Sequence, residues 1–309
     1  MIKIYAPASI GNLGVGFDIL GAAITPINNK ILGDIITIQS SHQFQLTNIG
    51  KYAQEIPQYN KKNIVWKACK LFFEKIQKKN KIHIILEKNL PISSGLGSSA
   101  SSIVSTLVAL NIFFNYPLKK KKLLQMMGSL EGEISGEKHY DNVAPSYLGG
   151  IQLILNTKKN ISNSIPYFKK WFWIIAWPGI KLSTSQSRSI LPKLYKRKTC
   201  IQYGKNISQF LYSSYTNQSD LAISSMKDVI AEPFRKNLIQ GFLKHKKNLK
   251  KIGSLAYGIS GSGPTLFSIT ENKNIAKKIQ KYFLENYIQE KNGFSYICTI
   301  DSVGAREVK

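Results

Sequence analysis

Cysteine is scarce and scattered. The 309 residues hold three, Cys69, Cys200 and Cys298, with no C-x-x-C pair. A disulfide scaffold is excluded, and a zinc cluster finds no ligand spacing to support it. Arginine is scarce for so basic a chain: Arg188, Arg197, Arg235 and Arg306 are the only four, and the other 39 basic residues are lysines. Long apolar runs are missing too. The longest, about Trp171 to Ile180, falls far short of the roughly 20 residues of a membrane span. The first residues lack the apolar stretch of a secretory signal, so a cytoplasmic location and no membrane partner are expected.

The composition is that of a folded protein, 43% hydrophobic and 19% charged, and the length suits two modest domains. A net charge of +26 invites a nucleic-acid reading. The distribution argues against it. The lysines are spread along the chain, with short clusters at Lys119 to Lys122 and Lys244 to Lys251. Arginine, whose planar fork pairs with phosphate and guanine, is nearly absent. No nucleic-acid partner is expected, although a diffuse positive field attracts anionic substrates. The few surviving arginines, Arg188 and Arg235 above all, become candidates for positions that need the fork.

Periodicity predicts mixed strands and helices. Strands are expected at Asp34 to Gln39, Ile82 to Leu86, Ile151 to Leu155, Trp171 to Trp177 and Phe294 to Ile300, with two more between Ala256 and Thr270. Helices are expected at Ile64 to Lys79, about Ser99 to Phe114, Leu118 to Ser135, Ile201 to Tyr215, Asp220 to Ile230, Glu232 to about Lys250, and Ile275 to Tyr287. Strict alternation is lacking, so the class is α+β, with two domains divided near residue 165.

Three glycine-bearing segments carry the chemistry. The first runs Pro91, Ile92, Ser93, Ser94, Gly95, Leu96, Gly97, Ser98, Ser99, Ala100 and Ser101, between an expected strand and an expected helix. Glycines let backbone N–H groups approach a ligand, and the helix N-terminus adds free donors and partial positive charge. This is an anion cradle without the Gly-Lys-Ser/Thr ending of a Walker A loop. The second segment, Gly258 to Thr265, places Gly261, Ser262 and Gly263 between β-type stretches. The third, Ala6 to Asp18, sets Asn12 and Asp18 among apolar neighbours, where an amide and a carboxylate can bind an ammonium or a hydroxyl group.

Together with LEGEISGEKHYDNVAPSYLGG, PGIKLSTSQSRSILP and KDVIAEPFR, these segments resemble the GHMP kinase superfamily in order and along the whole chain. The resemblance is to members acting on L-homoserine. It implies an N-terminal ATP-binding domain over residues 1–165, like the second domain of ribosomal protein S5. A ferredoxin-like domain over 166–309 follows. It implies ATP-dependent phosphorylation of the side-chain hydroxyl of L-homoserine to O-phospho-L-homoserine, on the route to threonine, and it points to a homodimer.

Carried over by position, Pro91 to Ser101 is the implied phosphate cradle, with Asn63 and Lys88 near the nucleotide base. Glu131, with a hydroxyl from Ser98 or Ser99, is the implied Mg2+ site; helical spacing alone does not prefer it to Glu133 or Glu137. Asn12, Asp18, His139, Asn142, Arg188 and Arg235 form the implied homoserine pocket. Gly261, Ser262 and Gly263 lie close by. Either Asp18 takes the hydroxyl proton, or Asn142 orients the hydroxyl and the phosphoryl group accepts the proton late. Ser93 departs from the family, whose loop more often has glycine there, and a small change in loop geometry is expected.

Overall fold

The computed structural model describes residues 1–57, 62–78, 81–155, 157 and 159–309, apart from the side chains of Ile134 and Ser135. Its organising element is the first strand, β1 (Ile2–Gly11). Alternating Ile2, Ile4 and Ala6 on one face suits a half-buried strand. Ile2 to Pro7 pair antiparallel with β3 (Gly33–Ser40). Ala8 to Gly11 pair instead with β2 (Leu20–Pro26). The strand therefore changes partner midway and joins the two halves of the molecule.

On its first side, β3 pairs with β5 (Ile82–Glu87), and β5 pairs in parallel with β4 (Gln45–Ile49). Helices α1 (Ile64–Ile76), α2 (Ser98–Phe113) and α3 (Lys120–Ser135) bury one core against this sheet. Helix α2 is covered almost all round, with buried polar residues along its length. Its hydroxyls are satisfied locally: Ser105 donates to the Ser101 carbonyl at 2.8 Å and Thr106 to that of Ser102 at 2.6 Å. Helix α4 (Val143–Leu148) leads into the hairpin β6 (Ile151–Ile154) and β7 (Ser162–Ile165), and β6 pairs with β2.

The second half begins with β8 (Phe172–Trp177) and a helical stretch: α5 (Thr184–Ser189), α6 (Arg197–Tyr215), α7 (Ser219–Ser225), α8 (Glu232–Arg235) and α9 (Phe242–Ile252). Strands β9 (Ala256–Ile259) and β10 (Leu266–Thr270), helix α10 (Lys273–Asn286) and strand β11 (Phe294–Ile300) follow. The spatial order β11-β8-β10-β9, all antiparallel, is the βαββαβ arrangement of a ferredoxin-like unit. It joins the first half through β11 on β2. The final strand, β12 (Arg306–Glu307), returns to pair with β1.

Four expected helices differ in extent. The one from Ile201 begins four residues earlier, at Arg197. The one from Ile64 ends at Ile76, where Gln77 turns left-handed at φ 53°; Lys79 lies outside the described residues. The expected helix Asp220 to Ile230 is only Ser219–Ser225. The one from Glu232 divides into α8 and α9: after Arg235 the chain runs through a 3-10 turn at Lys236–Leu238, an extended Ile239, and Gly241 at φ 69°. The N-terminal motif spans two structures: residues 6–11 are strand, and 12–18 turn into β2.

Candidate active site

The three glycine-bearing segments, distant in sequence, are stitched together by hydrogen bonds. The Gly261 amide donates to the Gly11 carbonyl at 2.7 Å. The Ser260 hydroxyl donates to the Gly95 carbonyl at 2.6 Å, and the Thr265 hydroxyl to that of Ser94 at 2.6 Å. The Ser9 amide closes the third side on the Leu96 carbonyl at 3.1 Å. A cavity of about 300 Å³ opens beside them. Gly95 is required twice over: it sits at φ 81°, and an added Cβ would lie 2.5 Å from the Ser260 carbonyl oxygen. Ser93 also has positive φ, 57°, so this serine adopts the backbone that glycine favours and the turn is preserved.

Of the cradle residues, Ile92, Ser93, Ser94, Gly95, Gly97, Ser98 and Ser99 line the cavity. Pro91, Leu96, Ala100 and Ser101 are buried and do not line it. The reason is helical geometry and core packing. Leu96 joins the core under the sheet, Ala100 the core under α2. Ser101 fastens α2 to the sheet, donating to the Ala6 carbonyl at 2.7 Å and accepting from the Asp34 amide at 2.8 Å. In the second glycine segment, Gly261 and Ser262 line the cavity, whereas Gly263 faces Ile259 and Ile239.

Asn63 and Lys88 line the cavity, but their polar groups also hold the frame. Asn63 caps α1, accepting from the Val65 amide at 2.9 Å, and donates to Asn48 at 3.3 Å. The Lys88 ammonium is buried on Asp34 and donates to the Ser98 carbonyl and the Ser102 hydroxyl, each at 3.0 Å. Asp34 in turn accepts from the Asn89 and Leu90 amides at 3.0 and 3.1 Å. A buried ion pair persists only with such complete hydrogen bonding. This one ties β3 and the end of β5 to the first turn of α2.

Glu131, on α3, faces that same turn. Both its carboxylate oxygens accept from the Ser99 hydroxyl, at 2.8 and 3.0 Å. Burial pushes its carboxyl above the ordinary range, and the Ser99 hydrogen bond pulls it partly back. Ser98 donates its own hydroxyl to the Leu90 carbonyl at 3.2 Å. The structure thus joins Ser99 to Glu131 rather than to Glu133, which pairs with Lys67 on the surface.

Charged side chains gather on the other part of the lining. Asp18, at φ 61°, accepts two hydrogen bonds from the Arg188 guanidinium, at 2.8 and 3.3 Å. His139 Nδ1 lies 3.7 Å from the same carboxylate. Burial lowers the His139 pKa, with Asp18 opposing the shift. Arg235 is 3% exposed; it donates to the Ser187 and Gly261 carbonyls at 3.2 and 2.8 Å. Both guanidinium groups flank the Phe17 ring, with centroid distances of 5.9 Å for Arg188 and 5.2 Å for Arg235.

Asn142 precedes α4 and accepts from the Ser9 hydroxyl at 3.0 Å. Its neighbour Asp141 is 6% exposed, and its carboxyl is pushed up to about 7, chiefly by burial and next by Asp18. Asn12 donates to Asp228 at 2.7 Å.

The expected pocket residues Asn12, Asp18, His139, Asn142, Arg188 and Arg235 all reach one cavity. Sequence reasoning misses Ser9, Phe17, Asp34, Asp141 and Asp228. Four of them lie inside or beside the quoted motifs, as in His139-Tyr140-Asp141-Asn142, so adjacency was the available signal. Asp34 lacked one.

Glycine turns at a helix start, joined to a charged pocket in a two-part α+β fold, suit a small-molecule kinase. The family model for the GHMP kinases N terminal domain matches residues 63–150, and that for the GHMP kinases C terminal domain matches 226–289. The chain is 57% identical over 309 residues to the homoserine kinase of Buchnera aphidicola subsp. Cinara cedri, covering all of this chain and 98% of that protein. It is 55% identical over 308 residues to the homoserine kinase of Buchnera aphidicola subsp. Acyrthosiphon pisum, covering both chains fully. A crystal structure of homoserine kinase from Cytophaga hutchinsonii superposes with a TM-score of 0.89 at 30% identity, over 99% of this chain and 97% of that one. A crystal structure of mevalonate kinase shares the fold, with a TM-score of 0.74 at 18% identity, over 97% of this chain and 99% of the other. The chain belongs to the GHMP kinases and, within them, to the homoserine kinases. Among the described residues no helix is long and apolar enough to cross a membrane.

Proposed function

We propose that this protein transfers the γ-phosphoryl group of ATP to the side-chain hydroxyl of L-homoserine, giving ADP and O-phospho-L-homoserine for threonine synthesis. The observation that carries the reading is one cavity lined both by the glycine cradle at the start of α2 and by the Asp18, Arg188 and Arg235 cluster. Residues 1–165 contribute the cradle, and residues 166–309 contribute both arginines. ATP phosphates sit against Ser93 to Ser99, where backbone amides and the helix N-terminus attract anions. Asn63 and Lys88 shape the nucleotide side.

The donor set fits Mg2+. Glu131 is a half-buried carboxylate held against the Ser99 hydroxyl, and Ser98 adds a second hydroxyl on the same turn. Hard oxygen ligands of this kind, few in number, leave room for phosphate and water. When bound, the ion supplies charge neutralisation for the polyphosphate.

The amino-acid end is read by opposite charges. Arg188 and Arg235 suit the carboxylate. Asp18 and Asn12 suit the ammonium. A zwitterion entering between Asp18 and Arg188 exchanges their single ion pair for two, so recognition needs both substrate charges. Asn142 orients the hydroxyl, with His139 alongside. Asn142 already accepts from Ser9, and Asp18 is engaged by Arg188. These contacts favour in-line positioning over a dedicated base, with the hydroxyl proton passing late to the transferred phosphoryl group. The enzyme is assigned to the cytoplasm, where its three unpaired cysteines stay reduced.

The test is coupled ADP release over L-homoserine, mevalonate, galactose and L-serine. Turnover that depends on L-homoserine is expected. Faster turnover of any other member of the panel would replace the reading.

A further inference from the structure

The Asn12 amide is buried, 4% exposed, and its two ends meet different surroundings. Its nitrogen donates to Asp228 Oδ2 at 2.7 Å. Its oxygen, Oδ1, is buried and has no hydrogen-bond partner among the described residues, although Asn12 lines the cavity. Such an unpaired buried acceptor is costly, and a ligand donor relieves the cost.

Asp228 decides which end faces which way. Its Oδ1 accepts from the Ile230 and Ala231 amides at 2.8 and 2.9 Å, and its Oδ2 from the Glu232 amide at 3.0 Å. Three backbone N–H groups can only donate, so Asp228 is held as an acceptor. The Asn12 group that meets it must be the NH2. The amide oxygen is thereby left toward the cavity that Asn12 lines.

Resting on the function proposed above, we infer that Asp228 is a positioning residue for substrate selectivity. It fixes the Asn12 amide so that the pocket offers an acceptor to the α-ammonium group of an amino-acid alcohol, and disfavours analogues that lack this group. The predicted consequence is discrimination against 2,4-dihydroxybutanoate, in which a hydroxyl replaces the ammonium.

Asp228→Asn tests it. The new side chain can keep the turn by accepting through its oxygen, while its NH2 favours a reversed Asn12 amide that presents NH2 to the cavity. The ratio of kcat/KM for L-homoserine over 2,4-dihydroxybutanoate should fall at least tenfold. The loss should appear in the homoserine KM, with the ATP KM within about twofold of wild type. Asn12→Gly, compatible with the φ of 63° at this position, should lower the same ratio. Adding Asp228→Asn to it should lower the ratio no further. If Asp228→Asn does not fold by circular dichroism, Asp228→Ser is the second variant. Serine can cap the turn yet tolerates either amide orientation, and a fall of at least threefold is expected. Equal losses for both substrates, an unchanged ratio, or additive losses in the double variant would overturn the inference. Wild-type enzyme that ignores homoserine but phosphorylates another alcohol would instead remove the proposed function.

Discussion

The two parts of the cavity are built from different materials. On the side proposed for phosphate the loop offers backbone amides and short hydroxyls, and the side chains behind them are locked: Lys88 on Asp34, Ser101 between Ala6 and Asp34, Ser260 on Gly95. On the amino-acid side the working groups are charged side chains from distant segments. Several atoms there have no hydrogen-bond partner among the described residues, including Asn12 Oδ1, His139 Nε2 and Arg188 Nε. A polyphosphate is recognised through a shape that backbone can copy. A zwitterion must be recognised through the placing of opposite charges, which only side chains supply. Damage on the first side should therefore act through conformation, and on the second through the homoserine KM.

The largest effect is expected at Gly95. In Gly95→Ala, positive φ and a Cβ 2.5 Å from the Ser260 carbonyl oxygen force the two glycine turns apart. Activity should fall below about 1% of wild type with the KM for both substrates disturbed, since all three segments share this junction. Steady-state kinetics with each substrate varied in turn checks it. A loss confined to the homoserine KM would break the contrast between the two sides.

Arg235→Lys should have an intermediate, selective effect. Lysine keeps the charge but loses the fork that reaches the Ser187 and Gly261 carbonyls and flanks Phe17. The homoserine KM should rise about 10–100-fold, in line with roughly 1.5–3 kcal/mol for a charge-assisted hydrogen bond. The ATP KM should stay within about threefold. Comparable shifts in both constants would show that Arg235 acts by holding the 258–265 turn.

The difference between the two sides also explains what the sequence made legible. The cradle is local: a strand before, the glycines and serines, and a helix after run without interruption from Ile82 to Phe113, so composition and periodicity reveal it. The long elements follow for the same reason, because the apolar spacing of α1, α3 and α10 is written along each helix. The charged pocket is not local. Asn12 meets Asp228 across 216 positions and Arg188 meets Asp18 across 170. The family resemblance supplied most of that pocket, and it left out the carboxylates that orient its members. Asp34 stands in a β-branched strand that looks like any other until β3 is seen beside Lys88. The division of the expected helix after Glu232 escapes for a related reason: a lone glycine is tolerated in a helix, and no other breaker marks the stretch between Arg235 and Phe242.

The smallest effect concerns Asp141, where the amino-acid side trades stability for charge. Its folded carboxyl is pushed up from the ordinary 3.8 to about 7, chiefly by burial and next by the Asp18 charge, with Arg188 opposing. The folded state therefore binds more protons than the unfolded chain across that window. Stability falls as pH rises through it, and the loss is complete above about 7. Asp141→Asn keeps the shape and removes the proton-linked cost. Without substrates, its Tm should match wild type near pH 4 and exceed it by a few degrees near pH 8, at roughly 2–4 °C per kcal/mol. Thermal melts at both pH values decide it. A Tm difference that does not change with pH would show that the Asp141 carboxyl is ionised throughout, and that Arg188 neutralises Asp18 and Asp141 together.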